Sequence, residues 1–172
     1  MLAVVDPPGE MPIEDATALV TGASSGIGEA TVHALAERGA DVVLVARRRD
    51  ALESIASDVE RDHGVEAVVA DGDVRDRATS EAAVEAAVDR LGGLDVVVAN
   101  AGIGRGSDVE TMTDEQYAAM QETNVDGTFF LTRAALPHLR ESEGMLVVVG
   151  SFAGQFPRSF NPVYAATKWW VR

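Results

Sequence analysis

Apolar residues in this 172-residue chain fall in short, nearly unbroken runs separated by longer segments with helical spacing. The runs ATALVTG (16–22), DVVLVA (41–46), VEAVVADGDV (65–74), LDVVVANAG (94–102) and GMLVVVGS (144–151) predict five strands. Between them, 26–39, 49–64, 77–93 and 113–140 space their apolar residues as helices do, and a last helix carries Tyr164. Gly39 and Gly64 stand where helix stops are expected. Thr113 and Gln116 have the spacing of a capping box at the start of the long helix. Strands made almost wholly of Val, Leu and Ala are expected where both faces of a sheet are covered. The strict alternation predicts a parallel sheet with right-handed crossovers, an α/β doubly wound layer fold. Residues 1–15, rich in acids and prolines, read as an N-terminal extension to a domain over 16–172.

Composition narrows the function classes. No apolar stretch reaches the length of a membrane span. The first residues have no basic region of the kind that opens a signal peptide. There are no cysteines, which excludes disulfides and thiolate metal sites and fits a cytoplasmic protein. His33, His63 and His138 show no metal-ligand spacing, so no metal is expected. The net charge of −14, from 28 acids against 14 bases, repels nucleic acid. The acids are spread along the chain, which favours a solvated surface over an acidic docking face.

The first strand runs into TGASSGIG, residues 21–28, with glycines at 22, 26 and 28. Gly22 suits a tight turn off the strand, Gly26 a close approach of backbone to a pyrophosphate, and Gly28 a helix packed close to the sheet. The free N–H groups of the helix start, with the Ser24 and Ser25 hydroxyls, suit phosphate oxygens. A glycine turn after a first strand and before a helix is the context that makes such a motif informative; the bland alternative is a structural turn without ligand. An acid at the end of the second strand would bind a ribose 2′-hydroxyl, and a base a 2′-phosphate. The sequence there is VLVARRRD, with no acid. Guanidinium groups fit phosphate by their forked geometry, so Arg47, with Arg48, is expected to accept a 2′-phosphate. NADP(H) is the favoured cofactor, with NAD(H) the other choice.

Tyr164 and Lys168 lie four apart, on one face of their helix. On its own such a pair reads first as a core aromatic beside a snorkelling lysine, since such pairs are common. Together, TGASSGIG, Asp73-Val74, ANAG (99–102), Asn124, Ser151 and YAATK (164–168) resemble the short-chain dehydrogenase/reductase family in order and spacing. The resemblance covers residue 16 to the end and implies a Rossmann fold binding NAD(P). It implies cofactor contacts at Gly22, Ser24, Ser25, Gly26, Ile27 and Gly28. It places Asp73 and Val74, at the end of the third strand, on the adenine, and Asn100, Ala101 and Gly102 beside the cofactor. Tyr164 would be the acid in carbonyl reduction and the base in alcohol oxidation. A free phenol titrates near pH 10, and a neighbouring cation favours its ionised form; Lys168 would supply that charge and also hold the nicotinamide ribose. Ser151 would hydrogen-bond the substrate oxygen, and Asn124, inside the long helix, would anchor a water in a proton relay.

Family members continue past this lysine with further strands and a segment over the substrate, so the resemblance makes the chain a short form or a fragment, its C-terminal strands missing. Two readings follow: an oxidoreductase acting on a small alcohol or ketone, or a cofactor-binding or interaction module without turnover. The resemblance also implies a homo-oligomer for a complete chain, through the long helix and the catalytic helix. Trp169 and Trp170 belong to a partner surface or to the core. Phe152, Gln155 and Phe156 near Ser151 hint at a partly apolar substrate pocket.

Overall fold

The computed structural model describes residues 13–104, 108–156 and 160–172. Strands β1 (Thr17–Thr21), β2 (Asp41–Ala46), β3 (Ala67–Asp71), β4 (Val96–Ala99) and β5 (Met145–Val148) form one sheet in the order β3-β2-β1-β4-β5. Every pairing is parallel, with Leu19 opposite both Val43 and Val97. Helices α1 (Gly26–Ala36), α2 (Arg49–His63), α3 (Arg77–Leu91), α4 (Asp114–Gln121), α5 (Gly127–Glu141) and α6 (Pro162–Trp170) alternate with the strands.

The apolar runs are explained by two cores, one on each face. Val20, Val42 and Leu44 pack with Val32 and Ala36 of α1 and Leu52 and Val59 of α2. Leu19, Val43, Val45 and Val97 pack with Ala83, Val84 and Ala87 of α3 and Leu131 and Ala135 of α5. Successive strand residues point to opposite faces, so a central strand buried on both sides must be apolar throughout. Burying a side chain such as Leu44 completely stabilises the fold by about 2 kcal/mol relative to its exposed state. β5 lies at the edge and is less covered, with Val147 at 39% exposure.

Three expectations are corrected in detail. The strands are shorter than the apolar runs: β3 ends at Asp71, and Asp73 and Val74 stand beyond it rather than at its end. Asn100, Ala101 and Gly102 likewise lie past the end of β4. The first helix stops at Ala36, and Gly39, at φ +83°, turns the chain afterwards. The reason is common to all three: apolar patterning follows burial, while a strand or helix ends where its backbone ladder ends.

The long helix predicted over 113–140 is interrupted. It opens with the expected capping box, Thr113 Oγ1 accepting from Gln116 N–H and the Gln116 side chain accepting from Thr113 N–H. At Glu122–Asp126 it widens into one π-helical turn and then continues as α5. An extra residue in a turn swings one side chain out of the regular progression, a device found at functional sites. The residue concerned is Asn124, buried to 1% exposure.

Candidate active site

The switch point of the sheet lies between β1 and β4, which leave to opposite sides. Open α/β sheets bind ligands outside the carboxyl ends of strands at such a point. The glycine turn is built there. Gly22, at φ +66°, takes a left-handed turn that a side chain resists, and a Cβ on it would stand 2.8 Å from Asn100 Nδ2. A Cβ on Gly28 would run into the carbonyl of Gly22, so only glycine lets α1 begin this close to the turn. Around Gly26 the space is open. Ser25, in extended conformation at the start of α1, makes no side-chain cap, which leaves the first-turn N–H groups to face outward. Ile27 is 66% exposed beside them. A glycine turn open at its centre, ahead of an uncapped helix start, fits a pyrophosphate.

Asn100 ties this turn to β4. Its Nδ2 donates to Thr21 O at 2.9 Å and Gly22 O at 3.4 Å. Thr21 Oγ1 accepts from the N–H groups of Asn100 and Ala101, each at 3.1 Å. Thr21 was not among the sequence candidates; its only sequence signal is a polar residue closing an apolar strand.

The three adjacent arginines have different partners. Arg47 is 72% exposed and approaches Asp73 only at 4.0 Å. Arg48 Nη2 donates to Ser24 O at 2.8 Å and Ser24 Oγ at 3.1 Å, joining the end of β2 to the glycine turn. Arg49 is held between Glu53 at 2.7 Å and Asp71 at 2.6 Å. Asp73 also accepts from Arg75, whose Nη2 lies at 2.7 Å and whose backbone N–H lies at 3.1 Å. The Arg75 guanidinium holds the Asp73 carboxyl below the usual carboxylate range. Arg75 reaches on to Glu122 of the π-helical turn at 3.4 Å. Val74 is buried against Gly127, where a Cβ would come within 3.0 Å of it.

At the ends of β4 and β5 the remaining candidates gather. Asn124 clasps the main chain of Ile103, Oδ1 accepting from its N–H at 2.8 Å and Nδ2 donating to its carbonyl at 2.9 Å. The Asn124 carbonyl accepts from Thr128 Oγ1 at 2.9 Å and keeps a second lone pair. Lys168 is buried, and its Nζ donates to Val149 O at 2.8 Å. Burial pushes the Lys168 ammonium below its ordinary range. A Cβ built on Gly102 would lie 3.3 Å from Lys168 Nζ and 3.4 Å from Asn124 Oδ1, so these two groups converge on one point of backbone. Tyr164 is half-buried, its ring beside Gly104. Ser151 Oγ accepts from Ala153 N–H at 3.1 Å, opening a short 3-10 turn at Phe152–Gly154. A hydroxyl so engaged still has its proton to donate. Gly154 packs against the Lys168 carbonyl, which sets this turn directly on α6.

The aromatic residues divide differently from the charged ones. Trp169 and Trp170 are half exposed, which removes them from the core. Phe152 and Phe156 stack at 4.6 Å, both more than half exposed. Residues 105–107 and 157–159 lie outside the described residues. Among the described residues no cluster of His, Asp and Glu is arranged to hold a metal. Nor is any helix among them long and apolar enough to cross a membrane.

A parallel sheet in this order, with a glycine turn at its switch point, defines a doubly wound Rossmann-type fold. A profile of the short chain dehydrogenase family matches residues 16–172, and the chain belongs to that family. It is 38% identical over 163 residues to an uncharacterized oxidoreductase of Listeria innocua, covering 94% of this chain. The chain spans 65% of that relative's length. An 11-beta-hydroxysteroid dehydrogenase-like protein of Arabidopsis thaliana is 35% identical over 151 residues, covering 87% of this chain and 49% of the relative. Among solved structures, an alcohol dehydrogenase of Thermococcus sibiricus complexed with 5-hydroxy-NADP superposes with a TM-score of 0.87 at 36% identity, covering 90% of this chain and 66% of that one.

Proposed function

We propose that the chain forms the cofactor-binding and catalytic part of a cytoplasmic NADP(H)-dependent oxidoreductase that interconverts a small alcohol and its carbonyl compound. The observation that carries the reading is the convergence of buried Lys168 Nζ and Asn124 Oδ1 on Gly102, one helical turn from Tyr164. The first-turn N–H groups of α1, with Gly22, Ser24, Ser25, Gly26, Ile27 and Gly28, would hold the pyrophosphate. Asp73 and Val74 would flank the adenine, and Asn100, Ala101 and Gly102 the nicotinamide half. The cofactor, when bound, supplies or accepts the hydride.

The protein's own groups handle the proton. In reduction Tyr164 gives its hydroxyl proton to the substrate oxygen; in oxidation it takes that proton back. Lys168, buried with its Nζ donating to Val149 O at 2.8 Å, would hold the nicotinamide ribose. Ser151 holds the same substrate oxygen by donating its hydroxyl proton. The preference for NADP(H) over NAD(H) rests on Arg47, whose guanidinium has only a distant carboxylate partner among the described residues, and on the absence of an acid at the end of β2. The NADP analogue in the Thermococcus sibiricus neighbour supports it. Exposed Tyr117, Phe129, Trp169 and Trp170 support a homo-oligomer.

The test is Tyr164→Phe. Turnover of a panel of aldehydes and ketones with NADPH should fall roughly a hundredfold or more, while NADPH affinity stays within about twofold. Activity that survives the change removes Tyr164 from the acid–base role. NADPH binding by the unsubstituted chain with no turnover of any panel member would favour a cofactor-binding module.

A further inference from the structure

We infer that Thr167, the residue before the proposed catalytic lysine, is a positioning residue that ties helix α6 to the π-helical turn through Asn124. The inference rests on the catalytic reading of Tyr164, Lys168 and Asn124. Its own geometry is independent of any ligand. Thr167 is 1% exposed, and its hydroxyl makes two hydrogen bonds. It donates to Tyr164 O at 2.8 Å and accepts from Asn124 Nδ2 at 3.0 Å.

The direction of each bond is forced. A threonine hydroxyl has one proton, and Tyr164 O is an acceptor only, so the proton goes there. The oxygen of Thr167 can then only accept, and it must be met by an N–H. Asn124 meets it with Nδ2, whose other proton goes to Ile103 O. That orientation leaves Oδ1 facing Ile103 N–H, as observed. Thr167 and the Ile103 main chain therefore demand the same setting of the Asn124 carboxamide.

The consequence reaches the proposed chemistry. The relay runs from the Tyr164 carbonyl through Thr167 and Asn124 to Ile103, next to Gly102. It fixes the rotation and height of α6 against the π-helical turn. Lys168 follows Thr167 directly, so the same tie sets where its Nζ meets Gly102. Among the described residues neither the Tyr164 nor the Lys168 side chain hydrogen-bonds across to that turn; the hydroxyl of Thr167 supplies the link.

The experiment compares the full chain with Thr167→Val, which keeps the shape and removes the hydroxyl, and Thr167→Ser, which restores it. Amide hydrogen exchange by NMR is read at Ile103 N–H, at the Asn124 side-chain amide, and at Leu19 and Val20 of β1 as reporters of global opening. In Thr167→Val, exchange at Ile103 and Asn124 should speed about tenfold to a hundredfold, the cost of an unsatisfied buried donor. The β1 amides should change much less, and Thr167→Ser should return Ile103 and Asn124 to near their original rates. Equal acceleration at β1 and Ile103, unchanged exchange at Ile103, or a serine variant that behaves like valine would each overturn the inference. Should Thr167→Val not fold, the unsubstituted chain decides: both Asn124 side-chain amide protons must be protected, and exchange as fast as that of a free carboxamide refutes the tie. If NADPH fails to bind the unsubstituted chain while this exchange pattern holds, the cofactor reading falls and the tie stands.

Discussion

Arg47, Arg48 and Arg49 are one motif in the sequence and three different groups in the structure, and replacing each with alanine separates them. Arg47 is 72% exposed, and its one carboxylate neighbour among the described residues, Asp73, stands 4.0 Å away, at the limit of an ion pair. Little inside the protein competes for it, and little is lost from the fold when it goes. A charge-assisted bond to a phosphate is worth about 1.5–3 kcal/mol, and exposure to solvent brings that down to about 1–2 kcal/mol. Arg47→Ala should therefore weaken NADPH binding about five- to thirtyfold and leave NADH within about twofold. Arg48→Ala also frees Ser24, which Arg48 holds at 2.8 and 3.1 Å, so the glycine turn loosens and both cofactors weaken together. Arg49 is engaged by Glu53 and Asp71, and Arg49→Ala should leave the NADPH-to-NADH ratio unchanged. Fluorescence titration of both cofactors at one fixed, low ionic strength measures the ratio, because salt screens exposed charges. Parallel loss of NADPH and NADH in Arg47→Ala, or no loss of either, would refute the 2′-phosphate assignment.

Three further outcomes follow from packing and burial. Gly28→Ala drives a Cβ into the Gly22 carbonyl and to 2.6 Å from Asn100 Nδ2, so urea unfolding should show a loss of about 1–3 kcal/mol together with loss of cofactor binding. A variant of unchanged stability would mean that the turn can yield. Burial depresses the folded-state pKa of Lys168, so the unfolded chain keeps its proton to higher pH. The stability of the unsubstituted chain should accordingly rise as pH climbs from the depressed value toward the ordinary lysine range, and Lys168→Met should flatten that rise; a rise of equal slope in both chains would contradict it. The Ser80 hydroxyl is buried at 2% exposure with no hydrogen-bond partner among the described residues, so Ser80→Ala should be neutral or stabilising by up to about 1–2 kcal/mol in urea. A loss of stability would reveal a partner for that hydroxyl.

Much of the candidate site was legible before any coordinates. The glycine turn could be placed because local spacing and local backbone needs coincide at Gly22 and Gly28. The capping box at Thr113 and Gln116 was legible for the same reason: both partners lie within one turn. The strand ends were less so. Apolar patterning reports burial, and Asp73-Val74 and Asn100–Gly102 stay close to the core after the ladder has stopped.

The sequence by itself determined the alternation of elements, the parallel sheet and the glycine turn at its carboxyl edge. Those follow from short-range periodicity and from residue types that few other folds combine. Only the tertiary structure decided that the long helix opens into a π-helical turn at Asn124. ETNVDG is compatible with regular helix; what selects the wider turn is that Asn124 then finds Ile103 and Thr167, 21 and 43 residues away. It also decided which arginine is least engaged, because Asp71 and Ser24, which engage the other two, lie 22 and 24 residues away from those they hold. Buried polar groups must be satisfied, and the partners that satisfy them are set by packing rather than by neighbours in the chain.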